Sequence, residues 1–303
     1  MTHQPKIGLA LGSGASRGWS HIGVIKALLR EGIEPDIICG TSVGAIIGGS
    51  YVAGNLDKLE RWVLSSTRSD VLRFFNIGFT QSGFVDTERL TKFIHNCVAG
   101  EDIVIEDLPK KFGVVSTNLE NGREVWFTEG GVADAVQASM SLPGLFPAVK
   151  NDGRWLVDGG LVNPVPVSTC RALGADVVIA VNLNSDILGK RNTSKKEVVP
   201  ADSRGVLSKV KRQAKEYSNT IFPNRDEKTE IPGLFFTIAN SINIFQDRIT
   251  RSRLAGDPAD VLLSPRLAHI GMLEFHRAAE AIKEGEHCVT KALEEIHRLM
   301  DKR

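Results

Sequence analysis

Apolar residues along this chain arrive in short dense runs, separated by longer stretches in which they recur every three or four positions. Residues 6–12 (KIGLALG) are the first run and predict a buried strand. After a glycine-containing turn, Ile22, Ile25, Ala27, Leu28 and Leu29 mark the buried side of a helix over 18–31, which Gly32 ends. Asp36-Ile37-Ile38-Cys39-Gly40 is a second short strand, and 43–54 a helix of small side chains. Strand, helix, strand, helix is the cadence of a mostly parallel sheet. Further helices are predicted over 56–66 and from Thr87 to about Val98. Residues 112–117 and 123–128 read as strands joined at Glu120-Asn121-Gly122, where Asn-Gly is a strong hairpin signal. A second hairpin lies within 147–158 and turns at Asn151-Asp152-Gly153. A helix near 167–173, ended by Gly174, leads to the strand Asp176-Val177-Val178-Ile179-Ala180-Val181.

The pattern changes after about residue 185. Residues 186–230 carry eleven Lys or Arg against seven Asp or Glu, with little apolar periodicity before Val206. Helical stretches follow over 233–254 and 273–300, with 260–264 a candidate last strand between them. The chain therefore divides into an α/β domain over 6–185, a basic linker or mobile insertion over 186–232, and a mainly helical part over 233–303 that packs on the core.

At 303 residues with 42% hydrophobic positions, the chain can bury a sizeable core. A net charge of +1 argues against nucleic acid as a partner. Cys39, Cys97, Cys170 and Cys288 are far apart and form no CxxC pair, which speaks against a disulfide framework or a thiolate metal site and for a reducing compartment. No stretch approaches the roughly 20 apolar residues of a membrane span. These features predict a cytoplasmic protein whose membrane contact, if any, is peripheral and on the inner face.

Candidate chemistry begins at Gly40-Thr41-Ser42-Val43-Gly44, a GxSxG serine between a strand and a helix. That is the setting of a nucleophile elbow, and also that of an ordinary glycine turn with an exposed serine. The helix start directs positive partial charge at Ser42, and Gly44, Ala45, Gly48, Gly49 and Ala53 allow close packing. A second loop, Gly12-Ser13-Gly14-Ala15-Ser16-Arg17-Gly18, also joins strand to helix. As a dinucleotide loop it lacks the third glycine and the distal acid, and as a Walker loop it lacks the lysine. Its amides can instead form an oxyanion hole, since both loops follow neighbouring strands.

A serine nucleophile needs a base. His276, His287 and His297 lie in a charged helical pattern, His21 lies on the first helix, and His269 is the one late loop candidate. Asp158, in Trp155-Leu156-Val157-Asp158-Gly159-Gly160, leaves an apolar strand into a glycine corner. It is either a turn former or a carboxylate presented to a site, where partial desolvation would raise its proton affinity.

Taken together, GSGASRG, GTSVG and DGG, with WSHIGVIKAL, ASMSLPGLFP (138–147), VNPVPV (162–167) and RLAGDPADVLL, resemble the patatin-like phospholipases, and within them the bacterial RssA-like group. The resemblance implies an α/β fold, a three-layer α/β/α sandwich around a mostly parallel sheet. It implies a Ser-Asp dyad without histidine, with Ser42 as nucleophile and Asp158 as general base. It makes the Gly14 and Ala15 amides the oxyanion hole, with Arg17 supporting, and Gly12, Gly18, Gly40, Gly44, Gly159 and Gly160 the motif glycines. The chain departs from many relatives at Ser13 and Ala15, where glycines are usual.

The resulting expectation is a lipid acyl hydrolase, of phospholipase, lysophospholipase or carboxylesterase type, working through an acyl-enzyme with no metal and no cofactor. The competing expectation is a regulatory or lipid-binding protein that keeps the fold with little turnover. A histidine-assisted α/β-hydrolase fits less well, because its elbow usually comes later in the chain. Lys209, Lys211, Arg212 and Lys215 could meet anionic headgroups, and Leu234, Phe235, Phe236, Ile238, Ile242 and Phe245 acyl chains. The simpler alternative is a solvated linker followed by a core helix. No motif fixes an oligomeric state.

Overall fold

The computed structural model describes residues 5–74, 87–186 and 234–301. Lys209, Lys211, Arg212, Lys215 and the side chains of Leu234, Phe235 and Phe236 lie outside that description. Among the described residues one eight-stranded sheet organises the fold: β1 (Ile7–Leu11), β2 (Ile37–Thr41), β3 (Lys111–Asn118), β4 (Glu124–Phe127), β5 (Val149–Asn151), β6 (Arg154–Asp158), β7 (Val177–Val181) and β8 (Val261–Leu263). Their order is β5-β6-β3-β2-β1-β7-β8, with β4 also paired to β3. The pairs β3/β2, β2/β1, β1/β7 and β7/β8 are parallel, while β4, β5 and β6 supply the antiparallel pairs. The sheet is mostly parallel and mixed at one end.

Strand pleating sorts the apolar runs into two cores. Ile7, Leu9 and Leu11 of β1, Ile38 of β2, and Ile179 and Val181 of β7 belong to the larger one. Alternate positions Ala10, Ile37, Cys39, Val178 and Ala180 belong to a smaller core on the other face. Helices α1 (Ser20–Arg30), α2 (Val43–Val52), α3 (Leu56–Ser65), α5 (Thr87–Cys97), α6 (Val132–Ser139) and α9 (Ala278–Asp301) cover the larger core. Helix α7 (Val167–Ala172) covers the smaller one, joined by Leu254 of α8 (Leu234–Gly256). The architecture is thus α/β with helices on both faces.

The Asp152-Gly153 turn between β5 and β6 takes positive φ at both residues, 47° and 77°, as a tight two-residue hairpin requires. Two helices were not foreseen from the pattern: α4 (Arg68–Phe74) and α6. Helix α6 buries Val132, Ala135, Val136 and Ser139 at i, i+3, i+4 and i+7, with Asp134 exposed on the other side. With eight residues, three of them alanine, it offers too few strongly apolar positions for that period to stand out in the sequence.

The C-terminal part joins the same body, since β8 extends the sheet beyond β7 and α9 lies along α1. Those two helices meet backbone to backbone. A Cβ on Gly23 would sit 1.9 Å from the Ile282 carbonyl oxygen, and one on Gly285 would sit 2.0 Å from that of Ser20. Among the described residues no helix is long and apolar enough to cross a membrane.

Candidate active site

The register along β3 determines which residues meet at the sheet edge. Residues Lys111–Val115 pair with β2, while Val114–Thr117 pair with β4 and Ser116–Asn118 with β6. Because β4 overlaps both other partners, β2 and β6 must lie on the same side of β3. They meet there head to head, Thr41 opposite Val115 and Asp158 opposite Ser116. Ser42, the residue after Thr41, is displaced from the ladder at the rung that Asp158 occupies. Two residues 116 positions apart are brought together by backbone pairing alone, and the Ser42 hydroxyl donates to Asp158 Oδ2 at 2.6 Å.

Ser42 stands in a strained turn, with φ 58° and ψ −124°. A non-glycine residue in that region costs on the order of 1–3 kcal/mol and persists only where its surroundings over-determine it. Several contacts do so. The Ser42 amide donates to Ser139 Oγ at 2.8 Å, and the Ser139 hydroxyl donates to the Val115 carbonyl at 2.6 Å. Gly44 lets α2 press against β1, since a Cβ there would lie 2.1 Å from the Leu11 carbonyl oxygen. The strain turns the Ser42 hydroxyl out of the sheet and leaves it at the positive start of α2.

Asp158 is 1% exposed. Its Oδ1 accepts from the Gly160 amide at 2.7 Å, and Thr117 Oγ1 donates to its carbonyl at 2.8 Å. Burial pushes its carboxyl up to about 6, against the opposing pull of the bonds from Ser42 and Gly160.

The loop after β1 is tied down at many points. Gly12 donates its amide to the Val181 carbonyl and Ser13 to that of Pro164. His21, fully buried, reaches the Gly12 carbonyl with Nε2 at 2.8 Å, and burial lowers its pKa to about 4, so the ring is neutral and donates. Thr41 Oγ1 donates to the Asn163 carbonyl, so VNPVPV clasps both loops at once. Ser16 and Trp19 bond the carbonyls of Gly271 and Phe275.

Arg17, 2% exposed, donates from Nε to the Gly14 carbonyl at 3.1 Å, and the Arg17 amide donates to the same oxygen at 3.2 Å. The N–H and C=O of a trans peptide point in opposite directions. Holding the Gly14 oxygen inward therefore turns the Ala15 amide outward. Among the described residues the Gly14 and Ala15 amides donate to no protein acceptor. Ala15 has φ 51°, so the chain keeps a glycine-type conformation where it carries alanine.

The histidines stand elsewhere. His269 Nε2 bonds Glu280 Oε1 at 2.5 Å in an exposed ionic network with Arg277. His276 follows that loop, and His287 and His297 lie on α9. Among the described residues the hydrogen bonds of Ser42 and Asp158 that involve a side chain go to Ser139, Met140, Thr117, Gly160 and each other. An apolar cavity reaches Met140, which borders the serine. Trp19, Ile46, Val63, Phe93, Met140 and Phe146 are among its lining, and Met140 Sδ is 4.0 Å from Ser42 Oγ. Ser139 and Asn163 go unassigned in the sequence, where the only signal is their place inside the family-like text, while His21 reads there as a structural residue of the first helix.

A patatin-like phospholipase family model matches residues 9–171. An uncharacterised NTE family protein of Mycobacterium tuberculosis is 34% identical over 96% of this chain and 92% of that one. A lysophospholipase of Emericella nidulans is 35% identical over 59% of this chain, which spans 12% of that protein's length. A lysophospholipase of Pyricularia oryzae is 29% identical over 92% of this chain and 18% of its own length. With the fold, the sheet-edge geometry and these relatives in agreement, the chain belongs to the patatin-like phospholipase family.

Proposed function

We propose that this protein hydrolyses the acyl esters of phospholipids or lysophospholipids with Ser42 as nucleophile and Asp158 as its base. The observation that carries the reading is the 2.6 Å bond from the Ser42 hydroxyl to Asp158 Oδ2, with no imidazole between them. A carboxylate pushed up to about 6 is ionised at neutral pH, yet is a far better proton acceptor than an exposed aspartate.

Ser42 Oγ attacks the ester carbonyl carbon while its proton passes to Asp158 Oδ2. The negative oxygen of the tetrahedral intermediate meets the Gly14 and Ala15 amides, each such donor being worth roughly 3 kcal/mol. Collapse breaks the bond to the alcohol, which leaves with the proton held by Asp158. Water then attacks the acyl-Ser42 ester, gives a proton to Asp158, and releases fatty acid as the proton returns to Ser42. Arg17 holds the donor loop and does not touch the reacting atoms.

The apolar cavity against Met140 supports a lipid over a small polar ester, and the relatives named lysophospholipases point the same way. A binding-only role leaves the strain at Ser42 and the burial of Asp158 without a purpose. The test is turnover of lysophosphatidylcholine and of aryl esters by purified protein. Ser42→Ala and Asp158→Asn should each lower kcat by at least about 10³-fold. Undiminished hydrolysis by either variant would end the proposal.

A further inference from the structure

Helix α8 presents a polar face to the protein interior. Asn243, Gln246, Asp247 and Thr250 follow at helical spacing, and all four are buried, from 7% to 1% exposed. Buried polar groups cost free energy unless they are bonded, and a helix that only completed a core would carry apolar residues here. What two of them touch explains their chemistry. Asn243 Oδ1 accepts from Arg17 Nη2 at 3.0 Å, and the same guanidinium holds the Gly14 carbonyl through Nε. Gln246 Oε1 accepts from Asn184 Nδ2 at 3.2 Å, which fixes its amide. Its Nε2 lies against Gly160, where a Cβ would come within 2.5 Å of it, and Gly160 is the amide donor to Asp158 Oδ1.

We propose that Asn243 and Gln246 of α8 are positioning residues, one for the oxyanion loop and one for the turn that holds the general base. The inference rests on the Ser42–Asp158 reading and extends it to the C-terminal part of the chain. Asn243 works through Arg17. Its oxygen accepts from Nη2 and fixes the plane of the buried guanidinium, so that Nε stays on the Gly14 carbonyl and the Ala15 amide faces the oxyanion. Gln246 works through Gly160, restricting the turn whose amide bonds Asp158. Neither side chain contacts the reacting atoms.

The experiment is the second-order rate of phosphonylation of Ser42 by a fluorophosphonate, a reaction that also develops a negative oxygen, read beside kcat and KM for an aryl ester. Asn243→Leu removes the acceptor at similar size and should lower both the phosphonylation rate and kcat roughly 10- to 100-fold, with KM changed less than about threefold. Asn243→Asp restores an acceptor and should recover most of that loss. In an Arg17→Met background Asn243→Leu should add less than about twofold, because the two act as one unit. Gln246→Met keeps length without the amide, and should slow phosphonylation even if Asn243→Leu fails to fold. Wild-type rates in Asn243→Leu and Gln246→Met, equal losses in Asn243→Leu and Asn243→Asp, or multiplying losses with Arg17→Met would each overturn the proposal. Absence of Ser42-dependent labelling in the wild type would overturn the dyad reading as well, so the two failures are distinguishable.

Discussion

In the proposed mechanism Asp158 combines two features that ordinarily exclude one another, near-complete burial and a working charge. Desolvation raises its carboxyl to about 6, and the bonds from Ser42 and Gly160 keep it from rising further. Activity should follow the ionised form, so kcat/KM should climb tenfold per pH unit below about 6 and level off above it. Stability should move the other way. The folded carboxyl, at about 6, lies above the ordinary 3.8, so between those values the native state holds a proton that the unfolded chain has lost. Its contribution to stability therefore falls as pH rises from about 4 to 6, by roughly 3 kcal/mol in all. Asp158→Asn keeps the shape and removes the charge. Thermal melts should show it about as stable as wild type near pH 4 and more stable at pH 8. A stability gap independent of pH would show that the carboxyl is not desolvated in the way its burial indicates. At this scale the glycines beside Ser42 and Asp158 mark both residues in the sequence, because glycine corners show where the chain turns at the end of an element, and the structure brings the two side chains to 2.6 Å. Ser139 did not stand out, because its importance lies in a bond to an amide 97 residues away.

An element contributes where it starts and stops. Strands β2 and β6 end against each other on β3, and α2 begins at the serine, so the site is a junction of three element termini. The elbow is held from α6, whose Ser139 hydroxyl bridges the Ser42 amide and the Val115 carbonyl. Ser139→Ala would leave both of those buried groups unpaired, a destabilisation of about 1–3 kcal/mol by chemical denaturation. It should also lower kcat, because the strained conformation of Ser42 would lose its anchor. Unchanged stability and rate would mean that the elbow is held by α2 alone. Most helices and strands of the first half are readable from periodicity, whereas α4 and α6 are not, since seven or eight residues with few strongly apolar side chains give too short a pattern to fix a period. The meeting of β2 and β6 was unreadable for a different reason: hairpin signals identify neighbours in sequence, not the side of β3 on which the returning strand lies.

The molecule as a whole is one sheet clasped by the C-terminal third of the described chain. β8 completes an edge, α8 backs the loop after β1 through Asn243 and Arg17, and α9 packs on α1 through the Gly23 and Gly285 contacts. A methyl at either glycine meets a backbone carbonyl that cannot rotate away, so Gly285→Ala should destabilise by about 1–3 kcal/mol or more. It should lower the melting temperature while leaving the pH midpoint of activity near 6. A shifted midpoint would tie α9 to the dyad. The apolar cavity operates at this scale too, since Trp19 before α1, helices α2, α3, α4 and α5, and Phe275 before α9 all contribute to it. Each acyl methylene buried there is worth about 0.8 kcal/mol, or roughly fourfold in kcat/KM. Filling it with Val63→Phe should end that rise at a shorter chain, and an unaltered chain-length profile would place the acyl group elsewhere.

The central claim, that a carboxylate activates the serine directly, is tested most directly by the rate at which a fluorophosphonate labels Ser42 as pH is varied. A single adduct on Ser42, with a rate rising to a plateau through a midpoint near 6 and abolished by Asp158→Asn, is the predicted result. Labelling that proceeds unchanged in Asp158→Asn, or that depends on one of the histidines, would contradict it.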